Sequence, residues 1–184
     1  MTKSISELFY IQDVRKSERR SFTMTNDELK ADMEQYRSML FRLAYSCTGD
    51  LSCCDDIVQE TFVKLYLRAK PFPDQEGKKA WLIRITINLS KNHVKSGYFR
   101  QRAELPDNIS ISDERDDAVA LEEALKQLKP EYRGVIHLHY YMGYTAAEIG
   151  DILHISTTAV TTRLQRGREK LKKYLADEKE NVYE

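Results

Sequence analysis

Residues 143–175 read GYTAAEIGDILHISTTAVTTRLQRGREKLKKYL, and the order of caps, apolar positions and charges in this stretch decides the fold. Thr145 followed by Glu148 is a capping box, in which side chain and backbone satisfy two helix-start donors reciprocally. Ile149 and Leu153 bury one side of the short helix that follows, His154 and Ile155 turn the chain, and Ser156 caps a second helix. On that second helix Val160, Leu164, Leu171 and Leu175 recur at helical spacing and point inward. Its other faces hold Thr161, Thr162, Arg163, Gln165, Arg166, Arg168, Lys170, Lys172 and Lys173. A short capped helix, a tight turn and a longer basic helix describe a helix-turn-helix, whose second helix suits the major groove of DNA. The plainer alternative is a three-helix core with a solvated basic face; capping, turn length and polar clustering favour the former.

Upstream, Val119, Leu121, Leu125 and Leu128 mark a preceding helix, and Pro130 with Glu131 opens another that reaches Gly143. Val135 to Tyr141 has strand-like propensity, yet the proline start and glycine stop predict helix. Between Glu104 and Glu123, Glu104, Asp107, Asp113, Glu114, Asp116, Asp117, Glu122 and Glu123 face only Arg115. With Pro106 and two serines, the first half of this stretch reads as a flexible linker whose like charge keeps it off DNA.

The N-terminal half has its own logic. Thr25 with Glu28 forms a capping box, and Leu29, Met33, Tyr36, Leu40, Leu43 and Cys47 mark one face of a long helix that Gly49 ends. Ser52 is placed to cap a second helix with Val58, Phe62, Leu65 and Ala69 as its buried stripe, while Asp56, Gln59, Glu60 and Val63 share another side. Acidic residues in a first turn also complement the helix dipole, so Asp55 and Asp56 alone prove nothing. After a loop at Pro71, Phe72, Pro73 and Gly77, a third helix spans Lys78 to Ser96 and stops at Gly97. Trp81, Leu82, Ile85 and Leu89 form its buried stripe, and Arg84, Asn88, Lys91 and Lys95 align on another face. From Lys78 to Arg102 there is no Asp or Glu, and basic residues stand beside Trp81, Tyr98 and Phe99. Cations for phosphates and rings for bases suit nucleic acid.

Charge over the whole chain is balanced, 29 Lys+Arg against 29 Asp+Glu in 184 residues, so nucleic-acid binding must rest on how that charge is distributed. The same neutrality predicts weak DNA affinity for the free protein at physiological salt. No long apolar run and no signal pattern occur, which predicts a soluble, cytoplasmic protein without membrane insertion. Cys47, Cys53 and Cys54 form no CxxC pair, which argues against a disulfide framework and a zinc site. There is no Walker-type loop, HExxH or GxSxG. His137 and His139 fall on different sides of a helix, and Asp55, Asp56 and Glu60 lack further ligands. No enzyme, cofactor, metal or small-molecule substrate is expected.

With these residues in place, the chain resembles the extracytoplasmic-function (ECF) sigma factors, the minimal group of the sigma-70 family. TGDLSCCDDIVQETFVKLY and KKAWLIRITINLSKNHVKS are similar to the family's region 2, and LKQLKPEYRG through REKLKKYL to region 4. The resemblance implies an all-α fold of two small helical domains joined by an acidic flexible linker, the second a helix-turn-helix. Its expected limits are a mobile extension at 1–23, region 2 at 24–99, linker at 100–115, region 4 at 116–177 and tail at 178–184. It implies binding to core RNA polymerase, at the β′ clamp helices through Asp55, Asp56, Gln59, Glu60 and Val63, and at the β flap through region 4. It implies that promoter DNA meets Phe72, Lys78, Lys79, Arg84, Asn88, Lys91 and Lys95 at the −10 element. At the −35 element the expected residues are Ser156, Thr157, Thr158, Thr161, Thr162, Arg163, Gln165 and Arg166. An anti-sigma factor is the expected regulator. Gly150 and Gly167 stand where the family commonly has Ala, and Thr161 and Thr162 where basic or serine residues are common, so the −35 sequence does not carry over. A stand-alone helix-turn-helix regulator is the competing reading, in which Asp55 to Glu60 is mere surface.

Overall fold

The structure is a computed structural model, and its described residues are 24–68, 70–101 and 117–181. The expected extension at 1–23, Ala69 and the linker residues 102–115 lie outside them. The described residues form seven α-helices with no strand: α1 (Asn26–Thr48), α2 (Cys54–Tyr66), α3 (Gln75–Gln101), α4 (Asp117–Lys126), α5 (Pro130–Ile136), α6 (Ala146–Leu153) and α7 (Thr157–Asn181). A single 3-10 turn, Leu51–Cys53, precedes α2, and a π-helical turn, His137–Tyr141, prolongs α5.

The capping boxes form as read. Glu28 and Glu148 each accept from the backbone N–H of the N-cap threonine, at 2.7 Å, and both carboxyls lie below their usual pKa because of those bonds. Gly49 ends α1 in the left-handed region at φ 70°, where glycine has no Cβ penalty. Four expected boundaries move. Ser52 does not cap α2; its backbone N–H donates to Asp50 Oδ1 at 2.8 Å, so Asp50 caps the 3-10 turn instead. The third helix starts at Gln75, with Asp74 Oδ1 accepting from Gly77 N–H at 2.6 Å, and it continues through Gly97 to Gln101. A glycine in a helix costs about 1 kcal/mol, which weakens but does not stop it. α7 likewise runs into the expected tail, as far as Asn181.

In the first module α1, α2 and α3 enclose Tyr36, Leu40, Val58, Phe62, Leu65 and Leu82. Thr61 and Thr86, both fully buried, share a hydrogen bond of 3.2 Å, and Thr61 also donates to Ile57 O. Buried hydroxyls are tolerable because they are paired. On α3 the sequence stripe proves too narrow: Leu82 is buried, Trp81, Ile85 and Leu89 are half-buried, and Ile83, Thr86, Ile87 and Ser90 are buried as well. The reason is that α3 is covered on two sides.

Its second cover is the other module. Leu43 and Cys47 of α1 and Ile83 and Ile87 of α3 belong to one core with Leu128, Val135, Ile136, Leu138, Ile149, Ile152, Val160 and Leu164. Gly134 of α5 permits this approach: a Cβ there would lie 3.4 Å from Ile87 Cδ1 and 3.5 Å from Cys47 Sγ. At the seam's edge the Tyr45 hydroxyl donates to Glu122, and the Lys79 ammonium lies 5.5 Å from the Tyr144 ring centre. The two halves that the sequence separates are thus packed face to face.

Candidate nucleic-acid interface

The helix-turn-helix consists of α6, a turn at His154–Ser156, and α7. His154 takes the left-handed conformation (φ 55°, ψ 48°), unusual for a residue with a side chain, and the Ile155 N–H returns to Gly150 O at 3.0 Å. That closure brings Ile155 O to 2.9 Å from where a Cβ on residue 150 would stand. The departure at Gly150 therefore has a local cause: here an alanine would collide with backbone. Ser156 Oγ accepts from Ala159 N–H at 3.1 Å and caps α7 as read.

Val160 and Leu164 fix the rotation of α7 by entering the core, which turns Thr157, Thr158, Thr161, Gln165 and Arg166 outward. Thr162 and Arg163 are half-exposed and, with Ser156, Thr158 and Arg166, line an open groove whose opposite wall is Glu131 and Tyr132 of α5. Two members are engaged locally: Thr161 donates to Thr158 O at 3.0 Å, and Gln165 to Glu169 at 2.9 Å. All eight expected −35 residues lie at the cap or within the first three turns of this one helix.

On the first module the expected −10 residues divide. Asn88 and Lys95 are exposed and Arg84 and Lys91 half-exposed along α3, so none is walled in. Phe72 stands edge-on to Trp81 (centroids 5.6 Å apart), with the Arg68 guanidinium 4.0 Å above its ring. Arg68 is a member the sequence reading missed; only the loop's folding brings it over two aromatics. Lys78 is committed elsewhere, to both oxygens of buried Asp32 at 2.8 and 2.9 Å. Nothing in the spacing of residues 32 and 78 announces that pair. Lys79, at the seam, has its pKa raised chiefly by its hydrogen bond with Tyr144.

Asp55, Asp56, Gln59 and Glu60 are exposed on α2, with Val63 half-buried beside them. Asp55 pairs with Arg37 at 3.0 Å and Glu60 with Lys64 at 3.2 Å, both in water, where such pairs contribute at most about 1 kcal/mol.

Two helical modules, one exposing a helix-turn-helix start and the other a basic-aromatic helix beside an acidic one, define a helix-turn-helix protein of the DNA-binding class with a second, separately charged surface. The sequence descriptions "Sigma-70 region 2" and "Sigma-70, region 4" match residues 33–99 and 118–171. The chain belongs to the sigma-70 family. It is 29% identical to the ECF RNA polymerase sigma factor SigW of Bacillus subtilis, over 77% of this chain and 86% of that one. With SigE of Mycolicibacterium smegmatis, also an ECF RNA polymerase sigma factor, it shares 32% over 82% of this chain and 61% of that one. Its fold is similar to the sigma factor RpoE in complex with the anti-sigma factor NepR from Bartonella quintana (TM-score 0.63, 20% identity, 81% of this chain, 97% of that one). It is also similar to CnrH in complex with the cytosolic domain of CnrY (TM-score 0.56, 23% identity, 83% and 90%). No described helix is long and apolar enough to cross a membrane.

Proposed function

We propose that this chain is an ECF-type RNA polymerase sigma factor, a non-enzymatic initiation factor of the cytoplasm. It binds core polymerase, recognises −35 and −10 promoter elements and promotes melting. The observation that carries this reading is the outward α7 face, Thr157 to Arg166, on the same chain as an exposed acidic α2 and a basic α3. Residues 116–177 act as the −35 module, through Ser156, Thr157, Thr158, Thr161, Thr162, Arg163, Gln165 and Arg166. Residues 24–99 act as the −10 and polymerase module, with 100–115 as linker. There Phe72, Arg84, Asn88, Lys91 and Lys95 meet melted DNA, and Lys78 and Lys79 join them once their present partners release them. Asp55, Asp56, Gln59, Glu60 and Val63 meet the polymerase β′ clamp helices; region 4 meets the β flap.

The physics suits a two-point grip. A bidentate groove contact discriminates by about 1 to 3 kcal/mol, and base stacking on protein contributes a similar amount per base, so neither module alone is selective. Elements about 25 base pairs apart are about 85 Å apart along B-DNA. A compact body of about 160 residues has a radius of gyration near 15 Å. The packed form described above cannot reach both elements. The modules must part at the seam, and a chain of the 15 residues that separate Gln101 from Asp117 can span up to about 50 Å. One group at the seam opposes the packing: Arg133 is buried there at 4% exposure, and its Nε has no hydrogen-bond partner among the described residues. Burial holds its pKa below the usual arginine value. Separation returns that charge to water.

An anti-sigma factor that covers the polymerase-facing surfaces is the fitting regulator, by analogy with the two structural neighbours. The decisive experiment is transcription reconstituted with core polymerase on genomic templates. Specific start sites are expected, and they disappear when Asp56 and Glu60 are both changed to Lys while binding of α7 to DNA persists. Core-independent, tight promoter binding with no stimulation of polymerase would instead identify a stand-alone regulator.

A further inference from the structure

We propose that Asp50, Cys53 and His93 form a zinc-binding site at the corner between α1 and α2. Their candidate ligand atoms, a carboxylate oxygen, a thiol sulfur and an imidazole nitrogen, all lie within 4.8 Å of one another. Ligands around tetrahedral zinc are about 3.5 Å apart, so side-chain rotations of about 1 Å complete the set.

The corner is built for it. Asp50 follows the left-handed Gly49, and its carboxylate is held in place by the Ser52 backbone N–H and hydroxyl, which donate to Oδ1 at 2.8 and 2.7 Å. Cys53 is buried at 4% exposure, its thiol donating to Asp50 O at 3.3 Å, whereas Asp50 and His93 are exposed and give an ion a way in from solvent. His93 arrives from α3, forty positions further along, between Lys91 and Lys95. Sulfur and nitrogen donors with one carboxylate select a borderline-soft ion such as Zn²⁺ over Mg²⁺ or Ca²⁺, and three protein ligands leave one position for water. Coordination replaces the Cys53 S–H, so one proton leaves to solvent for each ion bound, and the site goes from net −1 to neutral. Bound zinc ties the distal turns of α3, which carry Asn88, Lys91 and Lys95, to the α1–α2 corner.

The test is a titration of the full, chelator-treated chain with Co²⁺ and then Zn²⁺. One Co²⁺ per chain is expected, with a thiolate-to-cobalt charge-transfer band and visible ligand-field bands of a four-coordinate ion, both abolished by Zn²⁺. Zn²⁺ raises the melting temperature of the wild type and not of His93→Ala, a surface change that keeps the fold. His93→Ala and Asp50→Asn are expected to weaken Zn²⁺ about tenfold or more. Cys53→Ser is expected to remove the charge-transfer band. Absence of that band in the wild type, or wild-type Zn²⁺ affinity in His93→Ala with helix content unchanged, overturns the proposal.

Discussion

The seam between the modules can be wedged at Gly134. A Cβ at this position meets Ile87 Cδ1 at 3.4 Å, Cys47 Sγ at 3.5 Å and Ile87 Cγ1 at 3.7 Å, which is ordinary contact. Gly134→Ala therefore fits, and it also gains up to about 1 kcal/mol of helix propensity. Gly134→Leu adds three further carbons against α1 and α3, and overpacking of this kind costs about 1 to 3 kcal/mol. Parting relieves that strain without unfolding, because α5 keeps its packing on α7 when α1 and α3 move away. At 1.4 kcal/mol per decade the closed-to-open ratio falls by roughly 5- to 150-fold. X-ray scattering reads the change directly: the alanine variant keeps a radius near the 16 Å or so of a compact chain of this length, and the leucine variant expands. Arg133→Met works in the opposite sense, since an apolar chain of similar length removes the buried, unpartnered guanidinium nitrogen and tightens the seam. Leucine and wild type with the same radius, or a leucine variant that loses thermal stability while staying closed, would refute the reasoning, because the strain would then sit in region 4's own core.

Asp32→Ala removes the carboxylate that holds Lys78 at 2.8 Å, with 6% and 16% of the two side chains exposed; a loss of about 3 kcal/mol in urea unfolding is expected, and a loss below the 0.5 kcal/mol typical of surface changes would contradict the buried pair. Gly150→Ala and Gly167→Ala gain the same helix propensity but meet different obstacles, the Ile155 carbonyl oxygen and the movable end of Ile136, each at 2.9 Å. The first is expected to destabilise and the second to be neutral or stabilising, so equal effects on the melting temperature would show that the obstacle does not decide the sign. His137 has its pKa pushed down to about 4 by burial and then by Arg42, while the unfolded chain titrates near 6.5. Between those values the unfolded state binds more protons, so stability falls as pH drops from 6.5 towards 4. Urea midpoints at pH 7 and pH 5 should differ less in His137→Gln than in the wild type, and identical differences would exclude His137 as a cause.

Much of the molecule was legible in the order of its residues because the signals are local. Capping boxes at Thr25 and Thr145, the left-handed stop at Gly49, Pro130 at a helix start and the inward spacing of Val160 and Leu164 each act within a few positions. Local rules therefore set the helices, the helix-turn-helix and which side of α7 faces out. They failed where two signals compete nearby, as at Asp50 against Ser52 or Asp74 against Lys78, since a cap is decided by backbone direction. What only the tertiary structure decided are the pairings across distance: Lys78 with Asp32, Arg68 over Phe72, His93 beside Asp50 and Cys53, and the shared core from Leu43 to Leu164. Amphipathic spacing states that a face is apolar and leaves open which other face covers it. On α3 the answer was two covers at once, and that choice belongs to packing between elements far apart in the chain.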